Sequence, residues 1–306
     1  MGSVVNQGNF PRLLQEGVNA VAQFEYARYE PEYKSYLAVE GSNKAYEIDV
    51  SMAGYGAAQL KPEGQEISLD AEEQLYTTVY QHNVFGLGTN ITFEAIANNL
   101  YYSAMEKSGR LLEESLQETE QLVAADLINN GYNANFPIIA NTTELFSTSH
   151  VLKNGTFANR RTTFAALSEA SLEDACIQVK QYLNPAGLHV RIKVKGLCVP
   201  NDLMFVADRL LGSKFQAETA NNAVNAIINK GSIPAGYSTH TYWTDTAAWM
   251  LTTDISEGGK FFNRMGHTFR SDNSNTNTFN YRHTGITYFS VGVTDPRAYF
   301  ASGPSA

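Results

Sequence analysis

The sequence predicts an α+β protein from which an N-terminal arm and a long hairpin project. Three observations carry this expectation. Two β-rich runs, "YEIDVSM" and "QLYTTVYQHNVF", flank a Gly-containing tip, "AGYGAAQLKPEGQE". An unusually long amphipathic pattern follows, from residue 92 to residue 130. Mixed helical and strand-like segments then lead to a last long β-run, "TFNYRHTGITYFSVGV".

Each element has a local reason. Residues 1–45 are polar and aromatic, centred on "FEYARYEPEYKSYL", and read as an extended arm that gains its contacts elsewhere. In "YEIDVSM", Tyr46, Ile48 and Val50 alternate onto one face, as in a strand. An isolated two-stranded ribbon is marginal in water, so this hairpin must lie on something, and a neighbouring copy is the natural support. In 92–130, Phe93, Ile96, Leu100, Ala104, Leu111, Leu116, Val123 and Leu127 recur at helical spacing. A helix of that length would span about 55 Å. Asn90 or Thr92 can cap its start, Gly131 can follow its end, and Gly109 weakens its middle. Its other face is acidic, with Glu106, Glu113, Glu114, Glu118 and Glu120. Further helices are expected at 169–183, capped by Ser168 or Ser171, and in "DLMFVADRLLG" and "ANNAVNAI". "HVRIKVKGLCVP" reads as a strand with Arg and Lys alternating outside, and "AAWMLTTD" and "GKFFNRM" as strands. "SDNSNTNT" reads as an exposed loop before the final β-run.

The chain has 306 residues, 43% hydrophobic and 17% charged, which suits one large or two modest globular domains. Its formal charge of −9 is local: residues 61–130 hold 12 acids against 3 bases, and the remainder cancels. No basic stripe of the kind a tight nucleic-acid reader needs is present. Two cysteines, Cys176 and Cys198, sit in apolar runs and read as buried thiols. No signal peptide and no membrane span is visible, so folding in a reducing cytosol is expected.

Chemistry is poorly supported. The chain lacks a phosphate-binding GxxxxGK[ST] loop, an HExxH pair, a GxSxG elbow and a Cys/His cluster. The six histidines share no ligand spacing, and no metal or cofactor is expected. The one suggestive stretch is "TELFSTSHVLKNGTFANRR", where Glu144, Ser147, Ser149 and His150 fall close together. Sequence neighbours rarely hold a triad's orientation, and Ser and Thr at this density usually serve turns and caps. A serine hydrolase using Ser147 or Ser149 with His150 is the alternative enzyme reading.

The stretch "LFSTSH", then "LSEASLEDACIQVKQYLNPAGLHVRIKVKGLCVP", resembles the Mu-like phage major head subunits. "ETANNAVNAI", "TDTAAWMLTTD", "GGKFFNRM" and "YFSVGVTDPRAYFASG" continue the resemblance in order, from about residue 88 to the end. It implies the HK97-type capsid fold and a shell-forming subunit without enzymatic activity. The implied division is an N-terminal arm at 1–45, an E-loop at 46–80, a P-domain at 81–165 with its spine helix at about 92–130, an A-domain at 166–270, and a P-domain return at 271–306.

The resemblance also implies assembly into pentamers and hexamers of an icosahedral shell enclosing double-stranded DNA. The implied partners are the chain itself, a separate scaffold, a portal, a decoration protein, and DNA held weakly and non-specifically. Expected intersubunit anchors are Phe24, Tyr26, Tyr29, Tyr33 and Tyr36 on the arm and Tyr55, Leu60 and Lys61 at the hairpin tip. Some shells of this type carry Lys–Asn crosslinks; Lys61 is expected to be an ordinary solvated lysine. Glu113, Glu114 and Glu118 are expected to face the lumen and repel phosphate. Assembly in the bacterial cytoplasm and residence in the virion follow. An encapsulin-like compartment is the rival shell.

Overall fold

The computed structural model describes residues 30–94, 102–136, 143–152, 155–213, 225–272 and 280–303. Among them the strands form two four-stranded sheets and two ribbons. The first sheet has the order β1 (Ala38–Gly41), β10 (Gly259–Asp272), β11 (Tyr281–Val293), β4 (Asn83–Ile91). The second has the order β12 (Tyr299–Ala301), β9 (Met250–Thr253), β7 (Val194–Pro200), β8 (Tyr237–His240). The ribbons are β2 (Tyr46–Ala53) with β3 (Glu73–Gln81), and β5 (His150–Leu152) with β6 (Gly155–Phe157).

The long helix α1 runs from Tyr102 to Asn129 and lies on β11, β4 and β10. Phe93 and Glu94 are also helical, while the expected positions Ile96 and Leu100 lie outside the described residues. Leu116 and Leu127 enter the core, as the spacing predicts, joined by Ala124 and Ile128, whereas Phe93 and Leu111 are exposed. Below α1, rings stack across three strands: Tyr33 on Phe261 at 4.5 Å, Phe261 on Phe289 at 5.0 Å, and Phe289 on Phe85 at 4.8 Å. Gly131 serves a different purpose from the expected helix cap. Its φ is not left-handed; instead a Cβ there would lie 2.5 Å from the Phe146 ring. Glycine permits that close approach.

The second sheet has its own core. Helix α2 (Glu169–Lys180) starts at Ser168, which forms a reciprocal capping box with Ser171. Its Leu172, Ala175, Cys176 and Val179 face inward at helical spacing. They meet Leu197, Val199, Trp249, Leu251 and Phe300. Helices α3 (Met204–Gly212) and α4 (Ala226–Asn229) cover this core further. Strand β12 joins the two cores, because alternation sends Tyr299 into the first and Phe300 into the second.

One expected boundary falls inside a paired element. Residue 270 cuts β10, which pairs along its length with β11 and therefore belongs with the helix-bearing sheet. The short run "GKFFNRM" is the start of that longer strand. At the other end, β12 leaves the helix-bearing sheet and pairs with β9. The run "QLYTTVYQHNVF" is not one strand either. His82 interrupts it, buried between Ser290 Oγ at 2.9 Å and Ser42 Oγ at 3.1 Å, and the chain passes there from the ribbon to the first sheet.

Candidate functional site

The Ser–His stretch forms a clasp. Asn159 is fully buried, and its Oδ1 accepts from Ser147 N at 2.8 Å and from His150 Nε2 at 3.0 Å. Its Nδ2 donates to Leu145 O at 2.8 Å and to Pro296 O at 3.0 Å. Ser147 Oγ accepts from Ser149 N at 3.3 Å. His150 stacks on Phe157, and burial lowers its pKa. Among the described residues no hydrogen bond joins either serine hydroxyl to the imidazole, so the nucleophile–base geometry of a hydrolase is missing. Asn159 holds three chain segments together, a role no spacing in the sequence announces.

The hairpin β2–β3 is anchored by its polar side. Asp49 Oδ2 lies 2.6 Å from Lys260 Nζ and accepts from Thr294 Oγ1 at 2.8 Å. Lys260 also meets Glu257 at 3.1 Å and Glu40 at 3.7 Å. Burial opposes the Lys260 charge, but the bonds to Asp49 and Glu257 outweigh it and raise its pKa. Tyr80 OH shares a hydrogen bond of 2.7 Å with Thr294 Oγ1. On the other side, Tyr46, Ile48, Met52 and Val79 are exposed, with Ile48 directly opposite Val79. The ribbon thus turns Asp49, Tyr76, Thr78 and Tyr80 to its own body and leaves Tyr46, Ile48, Met52 and Val79 outside.

At the tip, Tyr55 OH donates to Glu72 Oε1 at 2.6 Å and Gly56 N donates to Asp70 Oδ2 at 2.8 Å. Beyond this tie Leu60 and Leu69 are 94% and 96% exposed, Ile67 is exposed, and Lys61 is solvated. Tyr55, Leu60 and Lys61 are therefore on an open surface. Tyr33 and Tyr36 are not, which corrects their reading as anchors for a neighbour. Tyr33 stacks on Phe261 and donates to Glu120 Oε2 at 3.2 Å. Tyr36 packs edge-on against His240 and Trp243. Both serve the chain's own core because the segment following residue 30 folds onto the body through β1, parallel to β10. Phe24, Tyr26 and Tyr29 lie outside the described residues.

The acidic helix face is also corrected. Glu113 is 1% exposed, and Glu120, seven residues on, is 3% exposed on the same face. Between them sits His267, with Nδ1 2.6 Å from Glu113 Oε1 and Nε2 2.8 Å from Glu120 Oε1. The register of β10 against β11 slips between Met265 and Thr268, and this bulge aims the imidazole at the helix. Burial alone would lower the His267 pKa; the two carboxylate bonds outweigh it and raise it to about 9. His267 is thus an imidazolium donating both N–H groups, and Glu113 belongs to a buried ion triad. Glu114, 4.0 Å from Arg110, is half-buried, and Glu118 is exposed.

Among the described residues no His/Cys/Asp/Glu group has the makings of a metal site, and no helix is long and apolar enough to cross a membrane. Comparison with known proteins agrees with a structural role. The family model described as "Phage capsid protein" matches residues 74–302. A virus-like particle from Pyrococcus furiosus shares the fold at TM-score 0.54 and 8% identity, over 94% of this chain and 98% of its own. A chain from the structure of Mycobacterium phage Patience gives TM-score 0.54 at 10% identity, over 95% and 87%. The procapsid of bacteriophage JBD30 gives 0.51 at 14% identity, over 99% and 77%. No curated protein sequence matches the chain. The fold is of the HK97 type.

Proposed function

The chain belongs to the phage capsid protein family, and from that premise we propose that it is the major head subunit of a Mu-like tailed phage. Copies assemble as pentamers and hexamers into an icosahedral shell around double-stranded DNA, in the cytoplasm of the bacterial host. The observation that carries this reading is the uncovered apolar face of the hairpin. Its polar groups are satisfied by Lys260 and Thr294 of the same chain, while Tyr46, Ile48, Met52 and Val79 stay uncovered. An apolar face exposed this way marks an interaction surface. Each is already about half covered, so burying the rest of it on a neighbour contributes about 1 kcal/mol. Contacts of that size become stable when repeated around closed rings.

The hairpin accordingly lies over the adjacent subunit, with Tyr55, Leu60 and Lys61 at its leading end. Phe24, Tyr26 and Tyr29 extend the contact from the arm. The lumen-facing acidic surface reduces to Glu114 and Glu118, since Glu113 is internal. It leaves packaged DNA loosely held through like-charge repulsion. A separate scaffold, a portal and a decoration protein complete the particle.

Negative-stain electron microscopy with light scattering for mass tests the reading. Closed shells, tubes, or rings of five or six are expected. Ester hydrolysis that disappears in Ser147→Ala or Ser149→Ala would overturn it.

A further inference from the structure

The run "HVRIKVKG" puts Arg191, Lys193 and Lys195 at alternate positions. All three are exposed, while Ile192 and Val194 between them are buried. Lys193 and Lys195 border a groove of about 620 Å³, which Lys180 at the end of α2 and Lys230 just after α4 also line. Asp254 is the acid along the groove, with Oδ1 accepting from Lys193 N at 2.8 Å. Pro234, exposed, and the lysine stems supply apolar wall. The surface is concave, cationic and partly apolar.

The hairpin tip has the complementary chemistry. Glu63 and Glu66 are exposed, and Leu60 and Leu69 beside them are the most exposed large apolar side chains among the described residues. No hairpin residue lines the groove of the same chain.

We propose that the lysine groove is the receptor for the hairpin tip of a second copy. Glu63 and Glu66 meet the four lysines, and the leucines meet Pro234 and the lysine stems. This rests on the reading that the hairpin lies over a neighbour, and it adds where the tip lands. Tip and groove are different surfaces of one chain, so the contact is head-to-tail, the kind that closes rings. A nucleic-acid phosphate backbone would match the lysines and leave Pro234, Leu60 and Leu69 uncovered. The apolar component therefore favours the tip. Complementary charge also steers the encounter and fixes its register.

The test uses the full chain, with ¹⁴N and ¹⁵N copies mixed and treated with a carbodiimide, which joins carboxylates to amines in contact. Peptide mass spectrometry should find mixed-isotope links from Glu63 or Glu66 to Lys180, Lys193, Lys195 or Lys230. Lys193→Glu with Lys195→Glu should cut their yield about tenfold. Adding Glu63→Lys and Glu66→Lys should restore mixed-isotope links of reversed polarity. Links from the tip to lysines elsewhere on a second copy overturn the groove and leave the hairpin reading intact. Same-isotope links alone, or no links from the tip, overturn both. Groove lysines shielded from acetylation only by added duplex DNA, without tip links, assign the groove to phosphate and overturn the proposal.

Discussion

Two antiparallel ribbons of this molecule have opposite designs. β10–β11 is covered by α1 and carries its aromatic residues inward, with Phe261 and Phe289 fully buried. β2–β3 turns Tyr76 and Tyr80 into the core beside the Asp49–Lys260 pair, but leaves Ile48 and Val79 in the open. Both are built by the same alternation of side chains. The first ribbon completes its packing within the chain; the second also keeps one apolar face uncovered. Stability and assembly are therefore separable, and mutations should separate them.

The largest loss of stability belongs to the inner ribbon. Phe289→Ala should cost about 3–5 kcal/mol, read as a lower urea midpoint. A shift below about 1 kcal/mol would mean that the aromatic stack does not organise the core. Next, His267→Ala leaves Glu113 and Glu120 buried without their cation. A loss of about 3–5 kcal/mol is expected, partly recovered by adding Glu113→Gln and Glu120→Gln.

The same triad sets an alkaline limit. Its histidine has a folded pKa of about 9 against an ordinary value of 6.5. The stabilisation is fully present below pH 6.5 and is lost as pH rises through about 9, a swing of about 3 kcal/mol. His240 behaves oppositely: burial lowers its pKa to about 4, so its contribution is lost as pH falls from 6.5 through 4. Urea unfolding across pH should show a maximum between these limbs. His267→Gln should flatten the alkaline limb alone.

Lys260→Met at the hairpin root should cost about 2 kcal/mol, since Asp49 keeps Thr294 but loses its cation. The smallest effect on folding is expected on the outer ribbon. Ile48→Ser should move the urea midpoint by less than about 0.5 kcal/mol while sharply reducing particle yield in light scattering. A folding defect as large as that of Phe289→Ala would erase the distinction between the ribbons.

The elements whose reasons are local were legible in the sequence. α2 announces itself by Ser168 and its helical spacing, and the hairpin by alternation around a Gly-containing tip. The Tyr46–Ile48 face was legible as a face, but not the direction in which it points. That depends on Lys260, more than 200 residues away along the chain, finding Asp49. The buried state of Glu113 was hidden for the same reason. A helix with many acids reads as solvated until a bulge in a distant strand places His267 against it. Tyr33 and Tyr36 looked like free aromatics because their partners, Phe261, His240 and Trp243, also come from far along the chain. Long-range polar pairing carries no periodic signature, and those pairings fix which surface is left over for a neighbour.

The Lys260 cluster also has a mechanical meaning. It is a fulcrum. From Asp49 the remaining four residues of β2 extend about 14 Å toward the tip at roughly 3.4 Å each. A rotation of about 5° at the root then moves that end of the paired ribbon by about 1 Å. Charges attract over a range of directions, but interlocked rings resist tilt, and Tyr76 and Tyr80 flank the cluster with rings seated in the core. The outer ribbon is thus a stiff lever on a firm bearing. A small angular difference between neighbouring molecules at the tip is passed through it to the aromatic core beneath.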